Sequence, residues 1–84
     1  MEQFIVYIIY SKQLDKYYVG YSANLEKRIL EHNVEISLFT AKATDWELKY
    51  FEQFPDRISA ISREKEIKKK KSRKYIEWLI SSVG

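Results

Sequence analysis

Residues 4–10 read FIVYIIY, seven consecutive β-branched or aromatic side chains. The run is far too short to span a bilayer, and it keeps no side polar for water. It reads instead as a central strand, apolar on both faces, in a small sheet. A chain of 84 residues is near the lower limit at which one core stabilises a fold unaided. The expectation is one domain, 1–84, built around that strand.

The rest of the chain supplies its partners. SKQLD (11–15) is a polar connector of hairpin length, and KYYVGY (16–21) reads as an antiparallel second strand. Asn24 stands where a helix over Leu25–His32 needs its N-cap. Residues 33–45 have weak periodicity and read as a loop. WELKYFEQF (46–54) alternates Trp46, Leu48 and Tyr50 against Glu47 and Lys49, the pattern of a third strand. Asp56 caps a helix that runs to about Lys71, and Ser72 caps a last one with Ile76, Leu79, Ile80 and Val83 on its buried side. The order β-β-α-β-α-α gives an α+β domain: a three-stranded antiparallel sheet flanked by helices.

Composition removes several chemistries. With no cysteine there is no disulfide, thiolate metal site or Cys nucleophile, and one histidine cannot build an imidazole zinc site. No signal-peptide pattern precedes the first strand, so a cytoplasmic protein without membrane association is expected. The net charge of +3 is uneven: residues 63–74, REKEIKKKKSRK, carry eight Lys or Arg against two Glu, a local +6 that leaves the remainder at −3. Such a segment is either the footprint of a polyanionic partner or a solvated helix face.

Helical phase singles out one acid. At about 100° per residue, Ala60, Ile61, Ile67 and Lys68 lie about −40°, +60°, −60° and +40° from Glu64. Glu64 thus sits inside the apolar stripe, whereas Glu66, about 200° away, reads as a solvated partner of the lysines. A carboxylate in that position needs a cation, and two readings are open: a salt bridge to Arg63, Lys68 or Arg28, or a ligand for a hard divalent ion. Arg28 and His32, four apart on one helix, project together, with Arg28 at the border of the apolar stripe. Strand parity gathers Tyr18 and Gly20 on one face, and a register that sets Tyr7 near Tyr18 would join two phenols to the gap at Gly20. That aromatic face reads equally as plain core.

IVY at 5–7 and YVG at 18–20, with the second tyrosine eleven positions after the first, resemble the two halves of the GIY-YIG motif. Arg28, His32 and the Glu-x-x-Ile-Lys of REKEIKK follow in the order of GIY-YIG nucleases. WELKYFEQF is similar to the third strand of their small stand-alone bacterial members. The resemblance spans about residues 4–80, with Ile5 where the first glycine usually stands, and it includes the amino-terminal nuclease of the repair excinucleases. It implies a metal-dependent endonuclease that hydrolyses phosphodiester bonds in DNA with a single Mg²⁺ or Mn²⁺, selective for branched or damaged structures as in DNA repair. By the same resemblance Tyr7 would activate or position the attacking water, Tyr18 would contact the phosphate, and Arg28 would stabilise its charge. Glu64 would hold the metal, His32 would assist proton transfer, and Gly20 would leave room for the phosphate. The nucleic acid would lie along Lys42, Lys68, Lys69, Lys70, Lys71, Arg73 and Lys74. A non-catalytic nucleic-acid-binding module of the same shape is the alternative, and an accessory protein is an open further partner.

Overall fold

The computed structural model describes residues 3–33, 43–70 and 72–82, with the backbone alone at residues 31 and 32. Six elements appear in the expected order: β1 (Phe4–Ser11), β2 (Lys16–Ser22), α1 (Leu25–Asn33), β3 (Glu47–Phe54), α2 (Arg57–Lys70) and α3 (Arg73–Ser82). Residues 34–42 of the loop expected over 33–45, Lys42 among them, lie outside the described residues, as do Lys71 and Val83.

β1 is the central strand, in the order β2-β1-β3, and both of its pairings are antiparallel. Alternation divides the apolar run between two cores. Val6 and Ile8, with Val19 of β2, pack on Ala60 and Ile67 of α2 and Leu79 of α3. Tyr7 and Ile9 point the other way, onto Ala43 and Trp46, with Leu25 and Ile29 of α1 at the margin. Val6, Ile8 and Ile9 are fully buried, and each such side chain contributes about 1.5–3 kcal/mol.

All three expected caps form. Asn24 Oδ1 accepts from the Lys27 amide at 3.1 Å, Asp56 Oδ1 from Ser59 at 2.7 Å, and Ser72 Oγ from Tyr75 at 3.2 Å. On α3, Leu79 is buried while Ile76 and Ile80 pack at the edge of the same core. The turn between β1 and β2 ends at Asp15, whose φ of 52° lies in the left-handed region that Asp tolerates. Arg73 holds it there, its Nη2 donating to Asp15 Oδ1 at 2.7 Å and its Nη1 to the carbonyl at 3.2 Å.

β3 departs from the expected alternation. Ile8 faces Tyr50 but Ile9 faces Leu48, so a bulge intervenes between them and reverses the parity. Trp46 is thereby buried in the Tyr7 core and Tyr50 packs in the opposite one, while Leu48 stays partly exposed. A strict period of two cannot anticipate an extra residue in the ladder.

Glu52 of β3 and Arg63 of α2 form a fork: Nε donates to Oε1 at 2.9 Å and Nη2 to Oε2 at 3.0 Å. Burial opposes the charge on Glu52, but the bonds from Arg63 and Tyr50 outweigh it and hold the carboxyl below its ordinary range. An acid depressed in this way stabilises the fold above its unfolded pKa of about 4.3 and loses that contribution as pH falls through the lower folded value. Glu52→Gln should therefore cost about 1–3 kcal/mol at pH 7. Urea melts of both proteins should show the difference shrinking below about pH 4; a difference that stays constant down to acid pH would contradict the pairing.

Candidate active site

The β1–β2 register sets Tyr7 opposite Gly20 and Ile9 opposite Tyr18. Tyr7 and Tyr18 are thus diagonal neighbours on one face, their ring centroids 6.5 Å apart. Trp46 meets Tyr18 edge-on at 6.5 Å and closes that side. Tyr7 is only 1% exposed. Its neighbour across the ladder has no side chain: a Cβ at Gly20 would stand 2.6 Å from the Tyr7 hydroxyl oxygen and 2.8 Å from Cζ. The gap at Gly20 is filled by the Tyr7 phenol, so the expected space for a phosphate is occupied from within the sheet.

Arg28, half-buried on α1, donates a hydrogen bond to the Tyr7 hydroxyl. The cap at Asn24 fixes the start of α1, and its far end is clamped by Asn33, whose Oδ1 accepts from the Trp46 amide at 2.7 Å while its Nδ2 donates to the Trp46 carbonyl at 3.0 Å. This two-point anchor holds the helix against the segment that leads into β3. Nothing in the local sequence pattern pointed to it; Asn33 read as the first residue of the loop, whereas it closes α1.

Glu64 approaches from α2. Its side chain is 15% exposed, between Ala60 and Ile67, which are themselves buried. Of the three bases that could pair with it, the partner is Lys68, whose Nζ lies 3.2 Å from Oε1. Arg63 is committed to Glu52 and to Glu66, so Glu66 pairs with an arginine rather than with the expected lysines. The Lys68 ammonium also sits 5.7 Å from the centre of the Tyr18 ring, which ties Glu64 and its counter-ion to the tyrosine face.

The Tyr7 phenol registers all of these groups. It is pushed up to about 12, chiefly by burial, with smaller upward contributions from Tyr18 and Glu64 and a downward pull from the Arg28 hydrogen bond and charge. In the free protein at neutral pH Tyr7 is therefore a neutral hydroxyl and not a base. The structure brings together Tyr7, Tyr18, Arg28 and Glu64; the side chain of His32 lies outside the described residues.

The expected polyanion track is divided by its own contacts. Lys68 is held by Glu64, and Arg73 by Asp15, Glu77 and the face of Tyr17. Lys70 lies over Tyr75. Lys69 and Lys74 are exposed and have no ion pair among the described residues. Arg73 is therefore first a latch between the hairpin and α3.

Among the described residues no three carboxylates or imidazoles cluster into a ready-made metal cage. A single carboxylate nevertheless suits a hard cation that keeps several waters and takes its remaining ligands from substrate phosphate, so Mg²⁺ or Mn²⁺ fits the donor set. Such an ion at Glu64 must share the carboxylate with Lys68 or displace its flexible stem.

Paired tyrosines on a small antiparallel sheet, with an arginine from one helix and a carboxylate from another beside them, define a nuclease-type α+β domain. The chain belongs to the GIY-YIG family: the model of the GIY-YIG catalytic domain matches residues 3–76. A UPF0213 protein of Haloquadratum walsbyi is 41% identical over 64 residues, covering 75% of this chain and 71% of that protein. One of Natronomonas pharaonis is 40% identical over 52 residues, 61% of each chain. The solution NMR structure of a UPF0213 protein from Bacillus halodurans shares the fold, with a TM-score of 0.58 and 29% identity over 94% of this chain and 83% of that one.

Proposed function

We propose that the protein is a phosphodiester hydrolase acting on DNA, with Arg28, Tyr7, Tyr18 and Glu64 as its working groups. The observation that carries this reading is the convergence of Arg28 and Glu64, from two different helices, on one buried phenol. A diester is already anionic, so its attack is slow until the non-bridging oxygens are matched by positive charge. Arg28, preorganised by its bond to Tyr7, presents a guanidinium to those oxygens. Tyr7, neutral and locked against Gly20, orients the attacking water instead of deprotonating it. Tyr18, partly exposed and backed by Trp46, offers its hydroxyl to the phosphate. A divalent ion held by Glu64 would supply Lewis-acid charge and a more acidic water.

The test is direct. Purified protein is incubated with supercoiled plasmid, flapped and branched DNA, and RNA, in Mg²⁺, Mn²⁺ or EDTA. Cation-dependent cleavage of DNA, greatest on the branched substrates, is expected, with Tyr7→Phe slower by about 10²-fold. Binding without cleavage on every substrate and in either metal would replace the hydrolase with a nucleic-acid-binding module.

A further inference from the structure

Across α2 from Glu64 lies a second surface that the proposed chemistry does not use. Trp78 on α3 is 62% exposed, an unusual state for the largest apolar side chain. It stacks on Tyr75, with centroids 6.1 Å apart and ring planes 25° from parallel. Tyr75 is in turn fixed from below, since Arg63 Nη1 donates to its hydroxyl at 3.3 Å. The pair is a braced aromatic shelf with one open face.

Lysines predominate around it. Lys70 Nζ lies 5.6 Å from the Tyr75 ring centre, and Lys69, Lys70, Glu66 and Tyr75 line one recess. Lys74, one turn before Trp78 on α3, projects within about 40° of it. The two acids of this corner are partly offset, since Glu66 shares Arg63 with Glu52 and Glu77 shares Arg73 with Asp15. Lys69, Lys70 and Lys74, none of them in an ion pair among the described residues, stand around the exposed indole.

That chemistry selects its ligand. A flat ring open to solvent gains by stacking on a base face, and the faces are available only where bases are unpaired. Lysines beside the shelf offer counter-charge to a phosphate backbone that must pass the stacked base. A neutral protein partner would satisfy the indole but not the ammonium groups, whereas a nucleic-acid strand supplies a stacking face and a regularly repeated anion together.

We propose that the Tyr75–Trp78 shelf, with Lys69, Lys70 and Lys74, binds an unpaired strand of nucleic acid, stacking a base on Trp78. The inference rests on the nucleic-acid half of the proposed function and adds a docking point remote from the Glu64 carboxylate. A branched substrate would then place its single-stranded arm on the shelf and its junction at the tyrosine face.

The experiment reads binding alone. In EDTA, an unstructured oligothymidylate is titrated into the protein while tryptophan emission is followed. Trp46 is buried, so a quench that Trp78→Phe abolishes reports on the shelf. Trp78→Ala, a surface change that leaves both cores intact, should weaken binding about 5- to 150-fold. Lys69→Gln and Lys74→Gln should each lower the salt slope of log K by about 0.7. The proposal is overturned if emission is unchanged on saturation, if Trp78→Ala binds as the parent does, or if a duplex of equal length occupies Trp78 as tightly. It is also overturned if sedimentation shows a Trp78-dependent dimer whose indole is shielded without oligonucleotide. Quenching that persists while no substrate is cleaved in Mg²⁺ or Mn²⁺ would sink the hydrolase reading and leave the shelf standing; cleavage with no quench would do the reverse.

Discussion

Glu64→Gln should abolish measurable cleavage, lowering the single-turnover rate by at least about 10²- to 10³-fold. Gln keeps the shape of the side chain between Ala60 and Ile67 but removes the charge that Lys68 now balances and that a dication would require. Because the lost group is an acid, binding should not suffer: affinity for DNA should be unchanged or slightly higher, with Lys68 released toward the backbone. Filter binding beside single-turnover cleavage separates the two quantities. A variant that still cuts at the parental rate removes Glu64 from the chemistry, whatever the family shares.

Gly20→Ala should be the most damaging change at a residue with no functional group. The new Cβ would meet the Tyr7 hydroxyl at 2.6 Å and its Cζ at 2.8 Å, where real contacts begin beyond 3 Å. Tyr7 is 1% exposed and packs with Ile9, Ala43 and Trp46, so these neighbours resist a shift of its ring. The strain should cost about 1–3 kcal/mol, at about 4–8 °C of melting temperature per kcal/mol for a domain of this size. The displaced hydroxyl would also lose its Arg28 bond, so cleavage should fall about 10²-fold. Tyr7→Phe in the same chain removes the nearest atom and should recover part of the stability but none of the activity. Melting curves of the two single variants and the double variant give that coupling; strict additivity would show that the phenol and the glycine are independent.

Much of this domain is legible in the chain because its signals are local. Alternation and β-branching place β1, and side-chain oxygens at Asn24, Asp56 and Ser72 reach amides three residues away, so all three helix starts follow from neighbouring residues. The inward phase of Glu64 is also a short-range property, set by Ala60 and Ile67 within one turn on either side. The bulge in β3 was not legible, because it depends on how β1 and β3 twist together rather than on either strand alone.

Residue order alone thus accounts for the succession of elements, the helix starts, the two-sided burial of β1 and the inward phase of Glu64. How the side chains meet was settled by packing. It gave Glu64 to Lys68, committed Arg63 to Glu52, filled the Gly20 gap with the Tyr7 hydroxyl and bonded that hydroxyl to Arg28. Arg73 was likewise taken from the basic track to hold Asp15, 58 residues away. The division follows from range: a cap or a helical face is set by atoms a few residues apart, whereas a charge selects among several possible partners only after packing has fixed the distances to each.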